Sequence, residues 1–283
     1  MLGINRQTYY RTIRSKKKNI EVASLVVALV KGVRLRMPRI GGRKLYILLY
    51  SELCQLHVGR DRLFAIMKAN HLKIIPKRSY HITTDSHHRF KKHKNLIEEL
   101  EIYKPEQVFV SDITYIGTRV NPMYLALVTD AYSKKIMGVN VSASLHTAGT
   151  IYAMKMALKN RIYKNNMLLH HSDRGLQYCS NEYQELLMAN NVICSMTEKY
   201  DPYQNAVAER VNGILKQEFL DGISTKDIHL MSMLVAESIE IYNNERPHYS
   251  NYYKTPKQMH KQSEIKMRTY KNKIAPQNVM LSN

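Results

Sequence analysis

Between Val108 and Met196, short β-branched and aromatic runs alternate with helical ones, and that alternation restricts the fold more than anything else in the chain. "VFVSDITYI", starting at Val108, reads as a buried strand. "MYLALVTD" and "KKIMGVNVSAS" read as two more, joined by a turn around Asp130–Ser133 that is short enough to make all three antiparallel neighbours. A helical run follows from His146 to Arg161, then a strand in "NMLLHHSD". Next come a helix capped by Ser180 and a fifth strand, "VICSM". The last helix of the series is "DPYQNAVAERVNGILKQEFL". Asp201 with Gln204 has the spacing of a capping box there, and Pro202 stands at the first helical position. The order βββαβαβα predicts an α/β core with a mixed five-stranded sheet and flanking helices.

The 283 residues suffice for one large domain or two modest ones, and 44% hydrophobic content supports a real core. Charge is the unusual quantity. The formal net charge is +20, with a pI near 9.7. Residues 1–105 carry 23 basic and 7 acidic side chains, and the remainder 20 and 16. A strongly basic half points to a polyanion, most often nucleic acid. The three cysteines, Cys54, Cys179 and Cys194, form no CxxC pair, so neither a zinc knuckle nor a disulfide framework is expected. The longest apolar run, Val22–Val30, is too short for a membrane span, and the polar start is no signal peptide. These features predict a soluble cytoplasmic protein with no membrane partner.

Ahead of the core, residues 1–30 read as a basic arm ending in "RSKKKN", followed by a helix over Val22–Val30. Residues 31–78 hold Leu45, Leu48, Leu49 and Leu53 at helical spacing, a turn at Gly59, and a short helix capped by Asp61 with Leu63, Ile66 and Met67 inward. Two short helices around a glycine turn suit a small helix-turn-helix-like DNA-binding domain that would use Arg60 and Arg62, and suit a plain helical hairpin equally. Residues 79–104 read as a basic linker. Its histidines (His81, His87, His88, His93) have no metal-binding spacing. The catalytic core is expected over 105–262 and a basic tail over 263–283.

Three acids stand out in that core. Asp112 lies inside an apolar strand, where an unpaired carboxylate is costly and is usually paired or metal-bound. Asp173 ends the fourth strand, where it could cap a turn with Arg174 and Gly175. Glu209 sits on the last helix, about 200° around from Val207 and off the apolar stripe of Val207, Val211, Ile214 and Leu215. Three carboxylates at the open edge of a mixed sheet suit a hard cation such as Mg²⁺.

The motifs around these acids carry a resemblance. "SDIT" at Ser111–Thr114, "HSDRGLQY" at His171–Tyr178 and "YQNAVAERVNGILKQEF" at Tyr203–Phe219 follow in order, with 35 residues between Asp173 and Glu209. "RIGGRKLY" and "GRDRLFAIMKANHLK" precede them, and "RPHYSNYYKTP" at Arg246–Pro256 follows. Together they resemble the catalytic subunit of insertion sequence 3 family transposases. Two departures are that the chain has no Trp, with Phe109 in that region, and that Gln204-Asn205-Ala206 stands where the family has Asp-Asn-Ala.

The resemblance implies a ribonuclease-H-like core similar to retroviral integrase, preceded by a small all-helical domain. Asp112, Asp173 and Glu209 would bind two Mg²⁺ ions, with Mn²⁺ able to substitute. Water, then a DNA 3′-hydroxyl, would attack a phosphodiester in line. Lys216, Arg210, Arg174 and His171 would contact DNA, His171 having a structural hydrogen-bonding role as its alternative. The partners implied are transposon ends and target DNA in a homo-multimer, with a helix-turn-helix protein from the upstream reading frame fused or assisting, near a bacterial nucleoid. A structure-selective nuclease on the same core is a competing reading. So is a silent DNA-binding remnant, which the three intact acids disfavour.

Overall fold

The computed structural model describes residues 5–75, 92–118, 120–198 and 202–268, the side chains of 202 and 203 excepted. The chain divides into two compact units, one from residues 1–81 and 214–223, the other from 82–213 and 224–283.

The first unit is helical. Helix α1 runs from Arg6 to Arg36, with the Asn5 side chain accepting from the Gln7 N–H at 3.0 Å as its N-cap. The basic arm expected before residue 20 is therefore helical from Arg6 onward, continuous with the expected Val22–Val30 helix. Arg and Lys are good helix formers, so the run needs no apolar periodicity to stay helical. Three short helices follow: α2 (Gly42–Leu48), α3 (Tyr50–Gln55) and α4 (Arg60–Ala69). Leu49, at φ −103° and ψ 18°, breaks the first expected helix into two. The cap of α4 is the backbone of Gly59 rather than Asp61, which sits in the first turn where a carboxylate suits the helix dipole. Val26, Val30, Leu45, Leu53, Leu63 and Met67 are buried, as are Leu215 and Phe219 from the later segment. That segment is tied in by an ion pair from Lys44 to Glu218 at 2.9 Å.

The second unit is built on one five-stranded sheet. Its strands are β1 (Val108–Gly117), β2 (Pro122–Asp130), β3 (Ile136–Ser142), β4 (Leu168–Ser172) and β5 (Val192–Met196). The spatial order is β3-β2-β1-β4-β5. The first three pair antiparallel, while β1–β4 and β4–β5 pair parallel. One face is covered by α5 (Thr147–Lys159), the short α6 (Leu176–Cys179) and α7 (Asn181–Ala189), around Phe109, Val128, Met154, Tyr178 and Tyr183. The Ser180 hydroxyl caps α7, accepting from the Tyr183 N–H. The opposite face packs Val108 and Val110 against Ala208 and Val207 of α8 (Ala206–Ile214). The last expected helix is segmented: a 3-10 turn over Pro202–Asn205, then α8, then a π-helix over Leu215–Phe219. Asp201 lies outside the described residues, as do residues 79–91 of the expected linker, with His81, His87 and His88, and the tail beyond 268.

At the free edge of β3, the Asn243 side chain on α9 (Ile228–Asn244) accepts from the Ile136 N–H and donates to the Ile136 carbonyl, both at 3.0 Å. A side-chain amide thus satisfies an edge strand's backbone pair, which blocks pairing with another strand. The close approach of β3 to α5 depends on Gly138. A Cβ there would collide with the Ala153 carbonyl oxygen and stand 2.9 Å from the Ala157 nitrogen. Both obstacles are helix backbone. Gly138→Ala is therefore expected to destabilise the unit by about 1–3 kcal/mol, an overpacking cost read as a lower melting temperature.

Candidate active site

The pairing of β1 with β4 decides where the first two acids lie. Val110 is in register with His171 in a parallel ladder. Two residues further on each strand come Asp112 and Asp173, the latter just past the end of β4. Side chains two apart share a face, so both acids stand on the face that carries Val108 and Val110, the face α8 covers. The site is thus at the carboxyl end of the central parallel strands, where open α/β sheets place their ligands.

Helix α8 brings the third acid by a buried stripe that is partly polar. Asn205, Ala208, Val211 and Asn212 are buried, and Glu209, beside Ala208 in this stripe, is exposed. Val211, Ile214 and Leu215 of the expected stripe are buried and Val207 packs on the sheet, and the two asparagines widen that face. Asn212 Nδ2 donates to Asp112 Oδ2 at 2.8 Å, and Asn205 Nδ2 donates to the Ser111 carbonyl at 3.0 Å. These two bonds dock α8 on β1 one turn either side of Glu209. Neither asparagine was among the sequence candidates, although Asn205 and Asn212 lie seven residues apart, two helical turns, with Glu209 between them.

Asp173 is fixed locally. Its Oδ1 accepts from the Gly175 N–H at 3.0 Å, so the turn-capping role read from the sequence is present. A Cβ on Gly175 would come 3.0 Å from that same oxygen, so glycine leaves the carboxylate room.

The electrostatics show mutual repulsion among the acids. Burial first, then the charge of Asp173 and that of Glu209, push the Asp112 carboxyl up to about 7, against the opposing bond from Asn212. Surrounding protein and the Asp173 charge raise Glu209 as well. Among the described residues no three His, Cys, Asp or Glu side chains are close enough to form a ready ligand cluster. Three like charges resist closing on one another, and a hard dication would remove that repulsion. An all-carboxylate donor set fits Mg²⁺ or Mn²⁺.

The histidines are structural in this arrangement. His170 and His171 are both fully buried. His170 Nε2 lies 2.8 Å from Ser111 Oγ and 3.0 Å from the Tyr183 hydroxyl. His171 Nδ1 meets Ser195 Oγ at 2.9 Å, and its Nε2 meets the Gln204 carbonyl at 3.1 Å. Burial pushes their imidazoles down to about 3 and about 4, so both are neutral near pH 7. The His171 ring is enclosed and both its nitrogens are engaged, the hydrogen-bonding role expected as the alternative to a DNA contact.

The expected DNA-contacting cations are scattered. Arg210 is exposed on α8 beside Glu209. Arg174 is half-buried and donates to the Glu198 carbonyl at 3.1 Å. Lys216 lies in the π-helical turn of the first unit, which departs from the regular helix expected there. Arg60 and Arg62 are exposed on α4 of that unit; Arg60 pairs with Asp61, and Arg62 donates to the Asn19 side chain at 2.9 Å. No helix among the described residues is long and apolar enough to cross a membrane.

Residues 102–202 match the integrase core domain family, and residues 190–256 match a second family of that description. A 31 kDa protein of insertion element IS600 from Shigella sonnei, itself uncharacterized, is 32% identical over 256 residues, 88% of this chain and 92% of its own length. The transposase InsF of insertion sequence IS3A from Escherichia coli K12 is 35% identical over 158 residues, 55% of this chain and 54% of its own. Among solved structures, a simian T-cell lymphotropic virus intasome in complex with a PP2A regulatory subunit aligns with a TM-score of 0.50. The identity there is 15%, over 80% of this chain and 76% of that one, a likeness of fold.

Proposed function

The chain belongs to the insertion sequence 3 family of DNA transposases, with an integrase core, and we propose that Asp112, Asp173 and Glu209 are the acids with which it cleaves and joins DNA strands. The observation that carries this reading is that the charges of Asp173 and Glu209 both reach Asp112 on the α8 face of the sheet and raise its carboxyl. All three would hold divalent cations, two Mg²⁺ or Mn²⁺ ions. Bound there, the ions would polarise the scissile phosphate and favour an attacking oxygen in line with it.

The chain's own groups supply order. Asn212 holds one carboxylate oxygen of Asp112 in place. The Gly175 N–H holds Oδ1 of Asp173. The His171–Gln204 bond ties the end of β4 to the start of the helical segment that carries Glu209. Arg210, exposed beside Glu209, would meet the phosphate backbone, where charge gives affinity and little sequence information. Transposon ends and target DNA are the substrates. Joining two ends calls for two catalytic cores on one DNA assembly, hence a homo-multimer, with the upstream-frame protein as a further partner.

Divalent-metal binding tests the site apart from turnover. Asp112 must lose its proton to become a ligand, so Mg²⁺ affinity should rise as pH climbs through about 7 and weaken below it. Without metal, a carboxyl raised in the folded state contributes its full stability below its ordinary 3.8 and loses it as pH rises to about 7. The gain in melting temperature on adding Mg²⁺ should therefore be larger above pH 7 than below. A gain independent of pH, or no gain, would remove Asp112 from the ligand set.

A further inference from the structure

The two halves of α1 have different surroundings. Val26 and Val30 bury its second half. From Asn5 to Glu21 every residue is exposed. Within this exposed stretch stand Arg6, Arg11, Arg14, Lys16, Lys17 and Lys18, and the first acid of the chain is Glu21. At about 100° per residue, Arg11, Arg14 and Lys18 fall in one stripe about 60° wide. Tyr9, Ile13 and Ile20, each at least 44% exposed, lie on the other side of the helix together with Arg6, Lys16 and Lys17. No carboxylate among the described residues pairs with any of the three stripe cations.

Like charges at three- and four-residue spacing weaken a helix, and Glu21, three residues on from Lys18, is the one acid of this exposed half. The helix persists on Arg and Lys propensity, the Asn5 cap and its packed second half. Asn19 is held by Arg62 of α4, which fixes the phase of the stripe where the exposed half begins. The exposed half is about 22 Å long, and a duplex presents a negative charge every ~1.7 Å along such a length. The stripe of three cations on this helix is complementary to that surface.

We infer that the exposed half of α1 is a DNA-backbone-binding helix, with Arg11, Arg14 and Lys18 on the phosphates of a duplex. This rests on the DNA reading above and extends it to a surface outside the catalytic core. The contact is sequence-independent and positions the helical unit on DNA. The opposite stripe of Tyr9, Ile13 and Ile20 faces away from the duplex in this arrangement.

The test is the salt dependence of duplex binding, measured by fluorescence anisotropy on the full chain. R11A/R14A/K18A is compared with K155A/K159A/K164A, which removes three exposed lysines of the other unit and so changes the net charge equally. Alanine is the best helix former, so α1 is retained, and circular dichroism verifies it. The slope of log affinity against log salt should fall by roughly 2.7 for the α1 variant, about 0.9 for each phosphate that a stripe cation neutralises, and stay unchanged for the control. Equal slopes in the two variants, whether both fall or neither does, would overturn the inference. A wild-type chain that binds no duplex would sink the DNA reading and this inference with it. A wild type that binds duplex but cleaves none leaves the slopes to decide the helix separately.

Discussion

Asp173→Asn should lower DNA strand cleavage by at least about 10³-fold, which is about 4 kcal/mol of barrier, while the folded protein becomes no less stable. The second half of this expectation makes the first diagnostic. Asparagine keeps an oxygen where Asp173 Oδ1 accepts from the Gly175 N–H, so the turn after β4 survives. What disappears is a negative charge that now pushes up both Asp112 and Glu209. In the absence of metal that charge is a repulsive element, and its loss should leave the melting temperature equal or higher. Duplex affinity should also persist, because backbone contacts come from cations elsewhere. Cleavage of a terminal-end duplex with Mg²⁺, melting temperature without metal and duplex affinity would be measured on one preparation. Retained cleavage would refute the assignment of Asp173. Lost cleavage with a large fall in melting temperature would show Asp173 to be a structural acid.

Much of the catalytic unit is legible in the sequence because its signals are local. The strands over Val108–Gly117 and Val192–Met196 announce themselves by β-branched runs, and the Ser180 cap by its position ahead of a helical pattern. The parallel register that aligns Asp112 with Asp173 follows once "VFV" and "LHH" are taken as neighbouring strands. What stays hidden depends on partners remote in sequence. Asn212 reads as an ordinary helix position until its partner, 100 residues earlier, is known. The apolar stripe of Val207, Val211, Ile214 and Leu215 is legible, but the buried Asn205 and Asn212 beside it are invisible to a hydrophobic pattern. The start of α1 fails differently. Its lysines and arginines suggest a solvated arm, and only propensity and a cap make it a helix. Asn191 and Tyr252 adopt positive φ, which asparagine tolerates and tyrosine does not advertise.

The buried ion network at the other end of the sheet has the second large expected effect. Glu106, fully enclosed, accepts from the Ile162 N–H at 2.7 Å, the Tyr163 N–H at 3.0 Å and Arg161 Nε at 3.2 Å, and meets His260 Nε2 at 3.2 Å. Its own N–H donates to Asp130, whose other oxygen faces His260 Nδ1. The "RPHYSNYYKTP" segment is stapled to the same corner, Asn251 Nδ2 donating to the Ser133 carbonyl at 2.6 Å. Removing Glu106 strands buried cations and N–H groups, so Glu106→Ala should cost about 3–5 kcal/mol. The pH dependence separates the two partners. Burial alone would raise Glu106, but its bonds from His260, Ile162 and Tyr163 outweigh burial and hold the carboxyl below its ordinary 4.5. Burial alone would lower His260, but bonds to Asp130 and Glu106 outweigh it and lift the imidazole above its ordinary 6.5. Glu106 therefore contributes its full stability above 4.5 and loses it as pH falls through its lowered value. His260 contributes fully below 6.5 and loses its share as pH rises through its raised value. Melting temperature in wild type should decline on that alkaline side, and His260→Gln, lower throughout, should lack the decline. Parallel alkaline profiles for the two proteins would show that the imidazole is not held charged between Asp130 and Glu106.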